Sequence, residues 1–194
     1  MSITDLREDQ KLLEGCLCHN RKAQFGFYEY HSPRLFGVCL RYAKNPTDAE
    51  DILQEGFIKI FKYLPDFRGE GSLEGWMRRI MVTTALNFYK RKNLLNKEVD
   101  PEDVKISIGS DYDALSLMTR EEILKLVQEL PTGYRTVFNL NTIEGYSHKE
   151  IGKMMNISVN TSKSQLSRAK STLKNKIQEL FSFEGERIGY AAVS

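Results

Sequence analysis

Hydrophobic positions along the chain recur every three or four residues, which is the spacing of one face of an α-helix. The clearest example follows Gly145. Ser147 and Glu150 have the spacing of a capping box, so a helix should begin there and end at Asn156. Ser158 can cap a second helix. The stripe that should face inward on this second helix is Val159, Ser162, Leu166, Ala169, Leu173, Ile177 and Leu180. The pattern predicts a helix-turn-helix.

The second helix of this motif is strongly basic. Between positions 159 and 177 the chain has no Asp or Glu, and its cations are Lys163, Arg168, Lys170, Lys174 and Lys176. Such a helix suits the negatively charged groove of DNA. An ordinary helical hairpin with a solvated basic face would give the same pattern, so the rest of the chain has to decide between them.

Helical periodicity also dominates the rest of the chain, which lacks the alternating pattern and the tight turns of a sheet. The fold class expected is therefore all-α. The first two predicted helices span residues 5–18 and a segment after Asn20, which Pro33 should kink or restart. The next two span residues 48–64, after a Thr47–Glu50 capping box, and residues 73–93, after the cap Ser72. The last two before the helix-turn-helix span residues 113–129 and a segment that starts at Pro131. Trp76, Ile123 and Ile143 should face inward on their helices.

The pattern divides the chain into two small helical domains, at residues 1–93 and 113–183. Residues 94–112 lack apolar periodicity and are acidic, so we expect a flexible linker there. Residues 184–194 are expected to form a frayed tail.

Composition excludes some classes of protein. The net charge is only +2 over 194 residues, so basic character is local rather than general. We expect a cytoplasmic protein without membrane insertion, because no signal-peptide core or long apolar run is present. Three cysteines suggest reduced thiols. Cys16-Leu-Cys18-His19 lacks the usual two-pair ligand spacing, so neither a metal nor a cofactor is expected.

Two sets of motifs then resemble one family. The first, Ala49–Glu55, Phe67–Gly69 and Trp76–Ile80 continuing to Arg91, resembles region 2 of bacterial sigma factors. The second, Leu130-Pro131, Tyr134–Val137, Gly145–Ser147, Glu150-Ile151 and Thr161–Ala169, resembles region 4. Their order, with only a short linker between them, is similar to the extracytoplasmic-function (ECF) group. The chain departs from the family's usual residues at Thr83, Gly152, Ser162 and Gln165.

The resemblance implies a sigma factor that binds core RNA polymerase and recognises and melts promoter DNA, with an anti-sigma factor as a further partner and no small-molecule substrate. The residues implied for polymerase binding are Asp51, Gln54, Glu55 and Lys59. Those implied for the downstream promoter element are Phe67, Arg68, Arg79, Asn87, Tyr89, Lys90 and Arg91. Those implied for the upstream element are Lys149, Asn160, Thr161, Lys163, Ser164, Gln165 and Arg168.

Two other functions remain open at this point. One is a helix-turn-helix regulator of the response-regulator type, which would act without core polymerase. The other is a DNA recombinase. We expect no enzyme, because the three histidines are scattered over separate predicted helices and no catalytic cluster is evident.

The predicted linker gives a first test. Limited proteolysis should cut first between residues 94 and 112, because a segment without a buried apolar face is accessible to protease. First cleavage inside the Leu73–Arg91 helix, read by mass spectrometry of the fragments, would contradict the predicted boundary.

Overall fold

The computed structural model describes residues 11–96 and 118–191, with side chains described for residues 11–92 and 118–180. These residues are helical with no strand among them, so the all-α prediction is confirmed. The chain divides into two compact units, Met1–Asn96 and Lys97–Ser194. Most of the predicted linker, and the start of the helix expected at 113, lie outside the described residues.

Within residues 11–96, the first unit contains four helices. They are α1 (residues 11–17), α2 (Arg21–Tyr42), α3 (Pro46–Tyr63) and α4 (Leu73–Asn96), and one 3-10 turn, Leu64–Asp66, follows α3. The three long helices α2, α3 and α4 each pack against the other two, and their buried faces form the core.

Two helix starts show how the chain is punctuated. Asn20 caps α2 as predicted, since its side-chain oxygen accepts from the backbone N–H groups of Lys22 and Ala23. The predicted Thr47 cap is wrong. Asn45 caps α3 instead, accepting from the N–H of Asp48 at 2.8 Å. Pro46 then occupies the first turn, where a missing backbone donor costs nothing.

Pro33 neither restarts nor ends α2, because the helix runs unbroken from Arg21 to Tyr42. Proline removes one backbone hydrogen bond from a helix interior. Tertiary packing compensates for it here, because buried Phe27, Leu35 and Cys39 fix the helix on both sides of Pro33.

The inner face of α4 is displaced from the predicted one. Met77, Met81, Ala85 and Tyr89 are buried, whereas Trp76 is only half-buried. The cause is a close approach of α3 and α4 at Gly56, where an added Cβ would lie 2.2 Å from the Met81 sulfur. Glycine on α3 therefore lets a methionine of α4 occupy the centre of the core.

A buried carboxylate ties the start of α3 to the end of α4. The Asp48 side chain is 9% exposed, and Lys92 donates to its two oxygens at 2.8 and 3.0 Å. The Tyr89 hydroxyl donates to Asp48 at 2.9 Å and accepts from the backbone N–H of Lys44 at 2.7 Å. The network fixes the C-terminal end of α4 against the turn before α3.

The second unit contains α5 (Arg120–Gln128), α6 (Thr132–Phe138), a π-helical turn (Asn139–Ile143), α7 (His148–Met155) and α8 (Val159–Ala191). Both α6 and α7 pack against α8, which is the central helix of the unit. The helix continues past position 183, where a frayed tail was expected.

Four residues of this unit that were predicted to face inward are exposed, and they are Ile123, Ile143, Val159 and Leu180. A capping box of Thr119 and Glu122 starts α5, which buries Leu126 and leaves Ile123 exposed. Ile143 is exposed because it ends the π-helical turn, whose extra residue per turn shifts the phase of the apolar face.

The predicted helix-turn-helix is confirmed in detail. The Ser147–Glu150 capping box starts α7, and Asn156 ends it in the left-handed conformation at φ 58° and ψ 47°. The Ser158 hydroxyl accepts from the N–H of Thr161 at 2.9 Å and caps α8. An added Cβ at Gly152 would lie 2.9 Å from the Ile157 carbonyl oxygen, so the turn closes tightly on α7.

The Asp48 network predicts a large stability effect. Asp48→Ala should lower the free energy of unfolding of the first unit by about 2–3 kcal/mol. The loss is below the value for a fully buried pair because Lys92 is 38% exposed and water can solvate it. The fluorescence of Trp76, the only tryptophan, reports urea unfolding of this unit alone.

The matched control is Glu50→Ala, since Glu50 is an exposed acidic residue two positions further along α3. It should change the unfolding free energy by less than about 0.5 kcal/mol. Equal effects of the two variants would contradict the structural role of Asp48.

Candidate nucleic-acid interface

One exposed polar face runs along α4. Arg79, Asn87 and Lys90, all predicted to contact DNA, are exposed, and the exposed residue Thr83 lies between them. Their spacing of three or four residues puts them on one side of the helix. At about 1.5 Å per residue the row extends roughly 17 Å. We call these four residues the outer face of α4. Thr83 was not among the candidate residues predicted from the sequence, although its spacing from Arg79 and Asn87 places it on the same face.

The loop before α4 presents one cation and one packed ring. Arg68 is exposed, and Gly69 and Gly71 adopt positive φ angles of 72° and 90°. The Phe67 ring is half-buried, with its centroid 5.2 Å from that of Trp76. Arg68 is therefore displayed on a glycine-rich bend, while Phe67 holds that bend against α4.

Tyr89 does not belong to a DNA-facing surface. It is 6% exposed, and its hydroxyl is engaged by Asp48 and Lys44. Its placement in the downstream set was wrong. Its spacing of four from buried Ala85 and of eight from buried Met81 is the signal that marks it as core.

The four residues predicted to bind polymerase do not share one face. Glu55 and Lys59 turn toward α4, where Lys59 lies 2.7 Å from Glu55 and 3.2 Å from the Thr84 hydroxyl. The second oxygen of Glu55 accepts from Arg91, a residue predicted to bind DNA. These charges brace α3 against α4.

This bracing changes the ionisation of Glu55. Partial burial raises the pKa of its carboxyl group, but hydrogen bonds and charge interactions with Lys59 and Arg91 lower it by more. The net pKa lies below that of an ordinary glutamate.

The outward side of α3 carries the other two residues that were predicted to bind polymerase. Asp51 and Gln54 are exposed, and Ile58, one turn further on, is 68% exposed. We call Asp51, Gln54 and Ile58 the outward face of α3. Ile58 was not singled out from the sequence, although its spacing of four from Gln54 and of seven from Asp51 could have placed it on this side.

The exposed side of α8 carries three of the residues predicted for the upstream element. Asn160, Lys163 and Ser164 are exposed, as is Lys149 at the start of α7. Ser167 and Lys170 extend the same exposed side. Polar and basic side chains thus cover the first three turns of the helix.

The other three predicted residues are half-buried and engaged within the unit. Thr161 shares a hydrogen bond of 2.8 Å with the capping hydroxyl of Ser158. Arg168 donates to the Tyr134 hydroxyl at 3.2 Å. The side-chain oxygen of Gln165 is buried. These three side chains lie at the edge of the exposed side rather than at its centre.

Val159 was predicted to face the core and is instead 42% exposed. It is the first residue of α8 and lies beyond the contact with α7, whose buried partners on α8 begin at Ser162. Ser162 is fully buried, and its hydroxyl lies 2.9 Å from Nδ1 of His148, to which it is hydrogen-bonded.

Two of the three cysteines, Cys16 and Cys39, are buried thiols, and Cys18 is exposed. Burial raises the pKa of Cys16 to about 11 and that of Cys39 to about 12, so both are protonated at neutral pH. Within residues 11–92 and 118–180, no three His, Cys, Asp or Glu side chains are grouped as metal ligands would be. The described helices include none long and apolar enough to span a membrane.

Comparison with protein families gives two matches in one chain. Residues 27–94 match the family model for Sigma-70 region 2, and residues 120–173 match that for Sigma-70, region 4. Together the two matches span more than half of the chain. The matched residues include the outward face of α3, the outer face of α4 and the exposed side of α8.

Similar proteins carry consistent names. The ECF RNA polymerase sigma-E factor of Haemophilus influenzae is 28% identical over 183 residues, covering 89% of this chain and 96% of that protein. The RNA polymerase sigma-H factor of Pseudomonas aeruginosa is 28% identical over 184 residues, covering 89% of this chain and 95% of its own length.

Comparison with solved structures also gave matches. One is the sigma factor RpoE in complex with the anti-sigma factor NepR from Bartonella quintana, at a TM-score of 0.49 and 16% identity over 78% of this chain and 94% of that chain. Another is CnrH in complex with the cytosolic domain of CnrY. Its TM-score is 0.47 and its sequence identity is 20%, over 89% of this chain and 98% of that chain.

The lowered pKa of Glu55 predicts a pH-dependent contribution to stability. Glu55→Gln should lower the unfolding free energy by about 0.5–1 kcal/mol at pH 7, because the carboxylate charge is lost. A lowered folded-state pKa contributes stability above the unfolded pKa of about 4.3, and this is lost as pH falls through the folded value. The difference should therefore shrink between pH 5 and pH 3.

Asp51→Asn supplies the control, since Asp51 is an exposed carboxylate of the same helix. Urea unfolding followed through Trp76 at several pH values measures both variants. A difference between wild type and Glu55→Gln that stays constant from pH 7 to pH 3 would exclude an ionised Glu55 as a brace.

Proposed function

The chain belongs to the sigma-70 family, and we propose on that basis that it binds core RNA polymerase and directs promoter-specific initiation by recognising and melting promoter DNA. The main observation in support of this function is that regions 2 and 4 occur in one chain, in that order. A helix-turn-helix alone is shared by many regulators. A regulator of the response-regulator type has no need of region 2.

The outward face of α3 is the proposed polymerase contact. Asp51 and Gln54 supply charge and hydrogen bonding around exposed Ile58. An apolar residue surrounded by polar ones is the usual composition of a binding hot spot. Glu55 and Lys59 have a different proposed role, which is to hold α4 in position behind this face.

The outer face of α4 and Arg68 are the proposed contact with the melted downstream element. An opened strand needs its phosphates neutralised and its unstacked bases held. Arg79, Lys90 and Arg68 supply positive charge, and Asn87 and Thr83 supply hydrogen-bonding groups between them. Arg91 adds to the basic end of the helix when DNA competes with Glu55 for its guanidinium group.

The exposed side of α8 is the proposed reader of the upstream element. Lys163 can contact guanine, while Asn160 and Ser164 can reach neighbouring base edges. Lys149 suits a phosphate, because it lies in the first turn of α7, where backbone N–H groups also favour anions. Gln165 can pair with adenine once its buried oxygen turns outward, and Arg168 and Thr161 border the contact.

Other features of this function follow from the family rather than from geometry. The protein would act in the cytoplasm, where core polymerase meets the chromosome. An anti-sigma factor that covers these surfaces remains a prediction. The relatives compared are named as sigma factors rather than enzymes, which gives the recombinase alternative no support.

One reconstitution tests the function. The full chain is added to core polymerase on fragmented genomic DNA, and transcript starts are mapped. Starts that cluster at a shared sequence only when both components are present support the proposal. Promoter-specific DNA binding by the chain alone would favour a regulator, and nicked or rejoined plasmid would favour a recombinase.

The polymerase face makes a separate prediction. Asp51→Lys combined with Ile58→Ser should weaken binding to core polymerase at least tenfold, because it reverses a charge and removes the apolar centre. Binding is measured by fluorescence anisotropy of labelled chain. Phe25→Ser is the matched control, since Phe25 is 63% exposed on α2 of the same unit. Equal affinity of all three proteins would remove the outward face of α3 from the interface.

A further inference from the structure

We propose that Val159 reads the methyl group of a thymine in the upstream promoter element. The inference rests on the proposed function, in which the start of α8 enters the major groove. It adds an apolar contact to a surface that is otherwise polar and basic, and it sets sequence preference at one base pair.

The position of Val159 carries the argument. It is the first residue of α8, and it is 42% exposed although it is a β-branched apolar side chain. Helical side chains tilt toward the N-terminus. The isopropyl group of Val159 therefore projects ahead of the first turn, which is the part of a recognition helix that meets base edges.

The start of α8 is held rigidly. The hydroxyl of Ser158 accepts from the N–H of Thr161 at 2.9 Å, and the N–H of Ile157 donates to the Gly152 carbonyl at 3.0 Å. These bonds fix the backbone on both sides of Val159. A pre-positioned side chain loses little conformational freedom on binding, so a small apolar contact can discriminate between bases.

The neighbours of Val159 define what it can contact. Lys163 lies one turn further along the same side of α8 and is exposed, and Asn160 is exposed beside it. In the major groove, the C5 methyl of thymine is the apolar group among the base edges. We therefore place the thymine next to the base pair that Lys163 contacts.

Exposed apolar residues occur singly on many protein surfaces, so exposure alone decides nothing. This unit offers its own comparison. Leu180 is 47% exposed on the same helix, twenty-one residues beyond Val159. At about 1.5 Å per residue it lies roughly 31 Å from the start of α8. Leu180 is thus an exposed apolar residue of the same helix, but it lies far from the first turn that is proposed to contact bases.

The test removes the methyl group from the DNA rather than from the protein. The probe is the upstream element that directs the strongest initiation by holoenzyme from a randomised library. Each thymine in it is replaced in turn by deoxyuridine, which keeps every hydrogen-bonding group of the base. Competition binding of full-length holoenzyme should show a loss of about fourfold at one thymine, the effect of removing one buried methyl-sized group.

Variants assign that loss to a residue. Val159→Ala should bind the unmodified element about fourfold more weakly and be insensitive to deoxyuridine at that one position. Val159→Thr keeps the β-branched shape and one methyl, and it should retain part of the sensitivity. Leu180→Ala should behave as wild type. Circular dichroism melting checks that each variant is folded.

Two results would overturn the inference. One is a wild-type holoenzyme that tolerates deoxyuridine at every thymine. The other is a sensitivity that persists at the same size in Val159→Ala. Failure of the proposed function looks different, because then no element of the library directs initiation even with all its thymines intact.

Discussion

The packing of α3 against α4 in the first unit depends on the hydrogen bonds and the ion pair of the buried Asp48 carboxylate. A carboxylate this deeply buried is stable only when its oxygens are fully engaged, and Lys92 and Tyr89 engage both of them. Both partners come from the end of α4, while Asp48 is in the first turn of α3. The network therefore holds α3 and α4 together, and the Glu55–Arg91 ion pair connects the same two helices two turns further along α3.

The second unit solves a similar problem with hydrogen bonds. Ser162 is fully buried, and a buried hydroxyl is costly without a partner. His148 supplies that partner from the first turn of α7. Helix α8 is thus held in register against α7 by a directional bond as well as by packing of Ile151, Leu166 and Ala169.

Helix caps and helix ends were predicted from the sequence better than the direction in which side chains face. Ser147, Asn156 and Ser158 act through bonds to their own neighbours in the chain, so their roles could be read from spacing. Tyr89 and Glu55 could not be placed in this way, because their partners lie about 40 residues away on another helix. Val159 was also misplaced, because an apolar residue on the inward stripe is expected to be buried. Its exposure follows from its position at the first residue of α8, before the buried contacts that begin at Ser162.

Gly152 has a consequence for how promoter preference can be exchanged among relatives. The Ile157 carbonyl stands where a Cβ on residue 152 would be crowded, at 2.9 Å. A methyl group at this position would push the turn and the start of α8 away. An α8 helix taken from a relative with a larger residue here would thus meet a turn of different geometry in this chain. If α8 reads the promoter as proposed, its preference depends on the whole segment from Ser147 to Arg168, including Gly152 and the turn, and a chimaera that exchanges α8 alone would place the imported side chains on a turn of different geometry.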